Sequence, residues 1–461
     1  MTATVELPIW LFVLILVFAA VTFASHFLFP SVRWFFRRRM ERVVSQLNER
    51  LERPIEPFKL ARRYDMIQRL IYDPEVSRAI ADHAREEGVP ENVAFQLAQR
   101  YAREIVPGFS ASIYFGFAII AARWLSKTLY RVRIGNFDEV SLRNVDENAT
   151  IVFVMNHRSN MDYVLVTWLA AERSALSYAV GEWARVWPLS RMIRAMGGYF
   201  IRRKSRNELY RRVLARYVGM ATDGGVTQAV FPEGGLSLDG GLAPPKLGLL
   251  KYIVDGRTDF DRDVVFVPVA LNYDRVFEDG ILVTAGQKGE RRFRARISVV
   301  AGFIAKQFWL WITRRYHRHG YAAVSFGTPV SLNAYQAEHP AGSVEELGQR
   351  LMERIGDEVP VLPVPAVAHV LWAADGPISK EAVIKAVGQL VEAVPEAHVH
   401  LPRNDDAYLV DVGLRNLRKR GMIKEGPEGI EIVEKDRPLV AFYARSIAHL
   451  MPQGNASNAG R

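Results

Sequence analysis

Cysteine is absent from all 461 residues, which removes disulfides, thiolate metal sites and a cysteine nucleophile and fits a reducing compartment. Carboxylates and cysteines are likewise missing at metal-ligand spacing around His317 and His319, so no metal is expected there. Lysine and arginine are missing before Pro8, where Glu6 is the only charged side chain. From Pro8 to Phe29 the chain is apolar and uncharged, interrupted only by Thr22, Ser25 and His26. At about 1.5 Å per residue this run can cross a hydrocarbon core of roughly 30 Å. Arg33, Arg37, Arg38, Arg39 and Arg42 come after it, with Trp34, Phe35 and Phe36 suited to an interfacial anchor. A signal peptide would carry its positive charge before the run. The flanks therefore predict one transmembrane helix over 8–29 within an anchor of residues 1–39, the N-terminus outside and the rest on the cytoplasmic side.

What is present is a large, basic chain. It is 49% hydrophobic and 24% charged with a formal net charge of +10, enough for two or three domains with real cores. A basic balance favours anionic lipid, phosphorylated substrates or nucleic acid, and composition does not choose among them.

The informative stretch is an apolar, strand-like run, Ile151–Met155, a polar turn holding His157 and Asp162, and a second apolar segment from Val164 to Ala171. Imidazole titrates near neutral pH, so His157 is a natural base for taking a proton from an alcohol. An anion on its other nitrogen would fix the tautomer and stabilise the imidazolium. Asp162, five positions on, can return to that nitrogen through a turn, and Ser159 or Asn160 can cap the following helix. The attacking alcohol would be the substrate itself.

Asn156 to Tyr163 resembles the first block of the glycerolipid acyltransferase superfamily, and its His157-Arg158-Ser159 with Asp162 resembles the glycerol-3-phosphate acyltransferase branch. Gly197 to Arg203 resembles block two, Phe231 to Ser237 block three, and Val267-Pro268-Val269 block four, in the family's order. The resemblance implies transfer of a fatty acyl group from a thioester, on coenzyme A or acyl carrier protein, to the primary hydroxyl of glycerol 3-phosphate, with no further cofactor. It implies His157 and Asp162 as catalytic residues. It places Arg158, Ser159, Arg202, Arg203, Glu233, Gly234, Gly235, Ser237 and Lys246 around the acceptor. Guanidinium forks suit phosphate oxygens, Glu233 can accept from glycerol hydroxyls, and the two glycines permit close backbone approach. Block three departs from the branch, which carries arginine where this chain has Leu236 and Leu238, while the family's Pro-Pro-Lys is kept as Pro244-Pro245-Lys246. Lysophosphatidic acid is therefore the alternative acceptor.

Recurrent strand-like runs near residues 130, 151, 177, 199, 227, 264 and 322, alternating with helical stretches, predict an α/β domain over 125–335, a mixed sheet flanked by helices. Before it, prolines 54, 57, 74 and 90 punctuate a helical module over 40–124. Phe109 to Trp124 reads as a buried or membrane-surface helix. Residues 303–312, Trp-rich between basic clusters, suit either a membrane surface or a core. Residues 340–452 predict a mostly helical accessory domain with a winged-helix arrangement, which leaves a membrane-tethered DNA-binding regulator as the second class of function. The segment from Pro438 resembles the C-terminal part of the same acyltransferase branch, and a polar tail, 453–461, reads as disordered.

Overall fold

The structure is a computed structural model that describes residues 8–19, 42, 44–171, 174–181, 184–202, 205, 207–258, 261–289, 319–374, 376–394 and 405–451. Contacts divide the chain into Met1–Ile55 and Glu56–Arg461, each compact. In the first unit residues 9–19 are helical. No helix among the described residues is long and apolar enough to cross a membrane, and the remainder of the expected span to Phe29 lies outside them, as do 303–312 and the tail.

With Pro57, Pro74 and Pro90 at helix starts, residues 56–105 form the helices Pro57–Leu60, Arg63–Ile71, Pro74–Glu87 and Glu91–Ile105. Asp73 caps the third of these through the Glu75 N–H, and Gly88 closes it in the left-handed conformation.

The centre of the second unit is an eight-stranded mixed sheet. Its strands are β1 (Arg131–Phe137), β2 (Thr150–Met155), β3 (Ser177–Gly181), β4 (Tyr199–Ile201), β5 (Gln228–Val230), β6 (Val264–Tyr273), β7 (Tyr321–Phe326) and β8 (Val330–Ser331). The order is β1-β7-β6-β2-β5-β3-β4, with β8 on β6. From β6 to β4 neighbouring strands are parallel; β7 and β8 run antiparallel to β6, and β1 is parallel to β7. Every residue of β2 and β6 is buried, as expected of parallel strands covered on both faces. Their continuous apolar sequences follow from that environment. Parallel pairing also places the ends of β2, β5, β3 and β4 on one rim, the position where such sheets bind ligands.

Residues 363–451 form the helices Pro363–Ala373, Lys380–Ala393, Asp406–Lys419 and Arg437–Arg445 with a hairpin of β9 (Ile423–Gly426) and β10 (Gly429–Ile432). Ile378 bridges Ile430 at the hairpin edge. Acids accompany its exposed cations: Lys380 pairs with Asp411, Arg418 with Glu425 and Lys424 with Glu431. This region belongs to the same compact unit as the sheet. A β-carbon on Gly240 would lie 1.8 Å from the Phe442 carbonyl oxygen, and Gly240 has φ +86°, so only glycine lets the loop after β5 approach the last helix.

Candidate active site

The turn after β2 is built by side chains that replace sheet hydrogen bonds. Asn156 continues the pairing of β2 with β6, its amide donating to the Leu271 carbonyl at 3.0 Å and accepting the Leu271 N–H at 2.8 Å. The chain then leaves the sheet at His157. His157 Nδ1 is 2.9 Å from Asp162 Oδ2. The same oxygen accepts the backbone N–H groups of Arg158 at 2.7 Å and Ser159 at 3.0 Å. Asp162 Oδ1 accepts the Tyr273 hydroxyl at 2.6 Å. Both members of the pair are buried. With Nδ1 committed to the carboxylate, Nε2 is the ring nitrogen that can take a proton. The imidazole stacks on Phe231 with centroids 4.0 Å apart, and Tyr163 meets it edge-on at 5.4 Å.

Glu233, at the end of β5, approaches the same residue from block three. Its Oε1 accepts the His157 N–H at 3.1 Å, and its Oε2 is buried without a hydrogen-bond partner. Burial pushes this carboxyl up to about 7, against the opposing pull of the Arg158 charge and of backbone N–H groups at His157 and Ala243. A buried acceptor left open beside a base fits a hydroxyl-bearing ligand. Gly234 has φ +65°, and a β-carbon there would meet Lys246 Cδ at 2.6 Å, so Lys246 lies against the glycine turn. The Lys246 N–H also donates to the Pro232 carbonyl at 2.7 Å. Gly235 and Leu236 are half-buried in the same turn.

Three other predicted acceptor residues have structural partners. The Arg158 guanidinium is buried and donates to the carbonyls of Gly241 at 3.3 Å and Ser446 at 3.2 Å. It thus joins the catalytic turn to the glycine loop and the C-terminal segment. Ser159 donates its hydroxyl to Glu278 at 2.8 Å. Ser237 donates to the Gly241 carbonyl at 2.8 Å and accepts the Gly240 N–H at 3.1 Å, bracing the loop, while its own N–H reaches the His157 carbonyl at 2.9 Å.

Block two lies farther along the rim. Arg202 follows β4 and forks onto Glu104, Nε to Oε1 at 2.9 Å and Nη2 to Oε2 at 2.7 Å. Arg185 adds a contact to Glu104 Oε1 at 2.5 Å. Hydrogen bonding to Glu104 raises the Arg202 pKa. Arg203 lies outside the described residues. Block four, Val267-Pro268-Val269, is buried inside β6 opposite Phe153, Val154 and Met155; it shapes the sheet.

Four participants went unassigned in the sequence. Tyr273 ends β6, four residues beyond block four, and reaches Asp162 because β6 lies beside β2. Glu278 accepts from Ser159 and, through Oε1, from the N–H and side-chain amide of Asn160 at 3.3 and 3.0 Å; burial raises its pKa. Asn156 and Glu104 complete the set. The polar run after β2 was the one available signal, since it offers more donors than Asp162 alone accepts. Among the described residues no group of three His, Asp or Glu side chains gathers as metal ligands.

Comparison with known proteins finds relatives over most of the chain. An acyltransferase family model matches residues 137–272, and a model of the glycerol-3-phosphate acyltransferase C-terminal region matches 308–453. Glycerol-3-phosphate acyltransferase of Aeromonas hydrophila is 29% identical over 421 residues, 85% of this chain and 50% of that protein. That of Alteromonas mediterranea is 26% identical over 445 residues, covering 89% and 52%, and that of Shewanella loihica 27% over 428, covering 85% and 51%. The chain spans about half the length of these relatives.

Proposed function

Since the chain belongs to the glycerolipid acyltransferase superfamily, we propose that it transfers a fatty acyl group from a thioester to the primary hydroxyl of glycerol 3-phosphate. The observation that carries this reading is the buried His157–Asp162 pair, at 2.9 Å, with the open Glu233 oxygen beside it. His157 Nε2 takes the proton as the alcohol oxygen attacks the thioester carbonyl. Asp162 holds the other nitrogen and stabilises the imidazolium. Collapse of the tetrahedral intermediate breaks the carbon–sulfur bond, and the thiolate leaves with the proton from His157. No enzyme nucleophile is needed, because the substrate alcohol is the nucleophile.

Glu233 accepts from a glycerol hydroxyl, while Lys246 and Arg203 supply positive charge for the phosphate. Arg158, Ser159 and Ser237 shape the turn and loop around it. The donor is acyl coenzyme A or acyl carrier protein, and the product enters phospholipid synthesis. Attachment through 8–29 would place the enzyme on the cytoplasmic face of the inner membrane.

The test is acyl transfer by the purified chain in detergent, offered glycerol 3-phosphate and lysophosphatidic acid in parallel with both donors. Lysophosphatidate formed from glycerol 3-phosphate is expected. Transfer to lysophosphatidic acid alone would reassign the acceptor to the site bearing Leu236 and Leu238, and no transfer to either would overturn the reading.

A further inference from the structure

One long helical segment turns its apolar side outward. Ser112–Ala118 is wound as a π-helix and continues as the α-helix Ile119–Leu129. Tyr114, Ala118, Ala122, Ser126 and Leu129 are buried, and the Ile119–Leu129 part packs on Met161–Leu169, the helix that carries Asp162. Away from that contact Ile113, Phe117, Ile120 and Trp124 are 39, 59, 63 and 67% exposed. Their spacing of i, i+4, i+7 and i+11 puts them on one stripe. Single exposed apolar side chains are ordinary; a stripe of four large ones marks a surface with a partner.

Within the segment itself the charge has one sign. Arg123 and Lys127 are exposed beside it, and no Asp or Glu occurs between Glu104 and Asp138. The Ser110 N–H donates to the Ala195 carbonyl at 2.8 Å, seating the start of the segment against the end of Leu189–Ala195. That neighbour brings exposed Trp187, Arg191 and Met192. Apolar side chains flanked by Arg123, Lys127 and Arg191 complement a bilayer with anionic headgroups.

We propose that Ile113, Phe117, Ile120 and Trp124, with Trp187 and Met192, dock on the surface of a membrane containing anionic phospholipid. The choice of lipid as partner rests on the acyl-transfer reading, because a fatty acyl product must be delivered to a bilayer. Docking here would hold the helix bearing Asp162 against a lipid-bound one.

The cysteine-free sequence allows one nitroxide label to be placed on the full chain at Ile120→Cys or Trp124→Cys, with exposed Glu345→Cys as control. With phosphatidylglycerol-containing vesicles, the ratio of oxygen to nickel-chelate accessibility should rise at least about threefold at 120 and 124 and stay unchanged at 345. Labels that remain aqueous while the chain sediments with the vesicles would overturn the proposal. So would labels already shielded without vesicles, which would place another part of this chain on the stripe, or spin–spin broadening between labels, which would place a second copy there. Acyl transfer in detergent is measured on the same proteins. Activity without immersion sinks the docking surface alone, and immersion without activity sinks the transferase reading alone.

Discussion

Two carboxylates meet His157, and the protein treats them in opposite ways. Asp162 accepts four donors: the imidazole, two backbone N–H groups and the Tyr273 hydroxyl. Glu233 holds the His157 N–H with one oxygen and leaves the other buried and open. The first arrangement fixes a geometry before substrate arrives, and such preorganisation is what a general base requires. The second carries an unsatisfied acceptor, which a folded protein retains at a cost of about 1–3 kcal/mol. A ligand hydroxyl would relieve it. Asp162 is fully engaged, and Glu233 keeps one oxygen open.

The sharpest way to break this contrast is His157→Ala, which should lower acyl transfer by about 10²–10⁴-fold with the fold retained, read by turnover and circular dichroism. Near-normal turnover would remove the base. Gly240→Ala strikes the loop after Glu233, because its methyl group has no room beside the Phe442 carbonyl. Stability should fall by about 3 kcal/mol, measured by denaturant unfolding.

Tyr273→Phe takes one donor from Asp162 and should lower kcat about tenfold, the equivalent of a lost hydrogen bond to a charged group, with little change in acceptor KM. A shifted kcat–pH profile would distinguish this positioning role from simple loss of packing. Glu233→Gln should do the reverse, raising acceptor KM severalfold more than it lowers kcat. It also carries a pH signature. The folded carboxyl sits near 7, above its ordinary value of 4.5, so the folded state binds that proton more tightly. Stability from this group is complete below about 4.5 and declines as pH rises to about 7; Glu233→Gln should flatten that decline. The smallest change is expected from Arg202→Lys. It replaces a fork on Glu104 whose arginine is partly exposed, so stability should drop by less than about 1 kcal/mol. A larger rise in acceptor KM would show that Arg202 also meets the phosphate.

Much of the architecture was legible because its signals are local. The fully buried strands β2 and β6 are continuous apolar runs, and prolines stand at the starts of three helices of the module. His157 and Asp162 were legible together because the turn between them is short enough to close on itself. The roles of Arg158, Ser159 and Ser237 were not. Arg158 is decided by carbonyls at Gly241 and Ser446 and Ser159 by the Glu278 carboxylate, groups that sequence spacing does not bring near, whereas Ser237 is taken up locally by the Gly241 carbonyl four residues on. Arg202 carries the residue type for phosphate, yet its fork is occupied by Glu104 from a helix nearly a hundred residues earlier.

The elements, the His157–Asp162 pair and the chemistry that a histidine with an aspartate five positions on can perform are written in the amino-acid order, since each depends on periodicity or a short turn. Which groups hold that pair in place is a matter of tertiary packing. Parallel pairing of β2 with β6 delivers Tyr273 to Asp162, and close packing of the C-terminal segment delivers a carbonyl to Arg158. A hydrogen bond needs its partners within about 3 Å, and only the folded chain brings residues 162 and 273, or 158 and 446, that close.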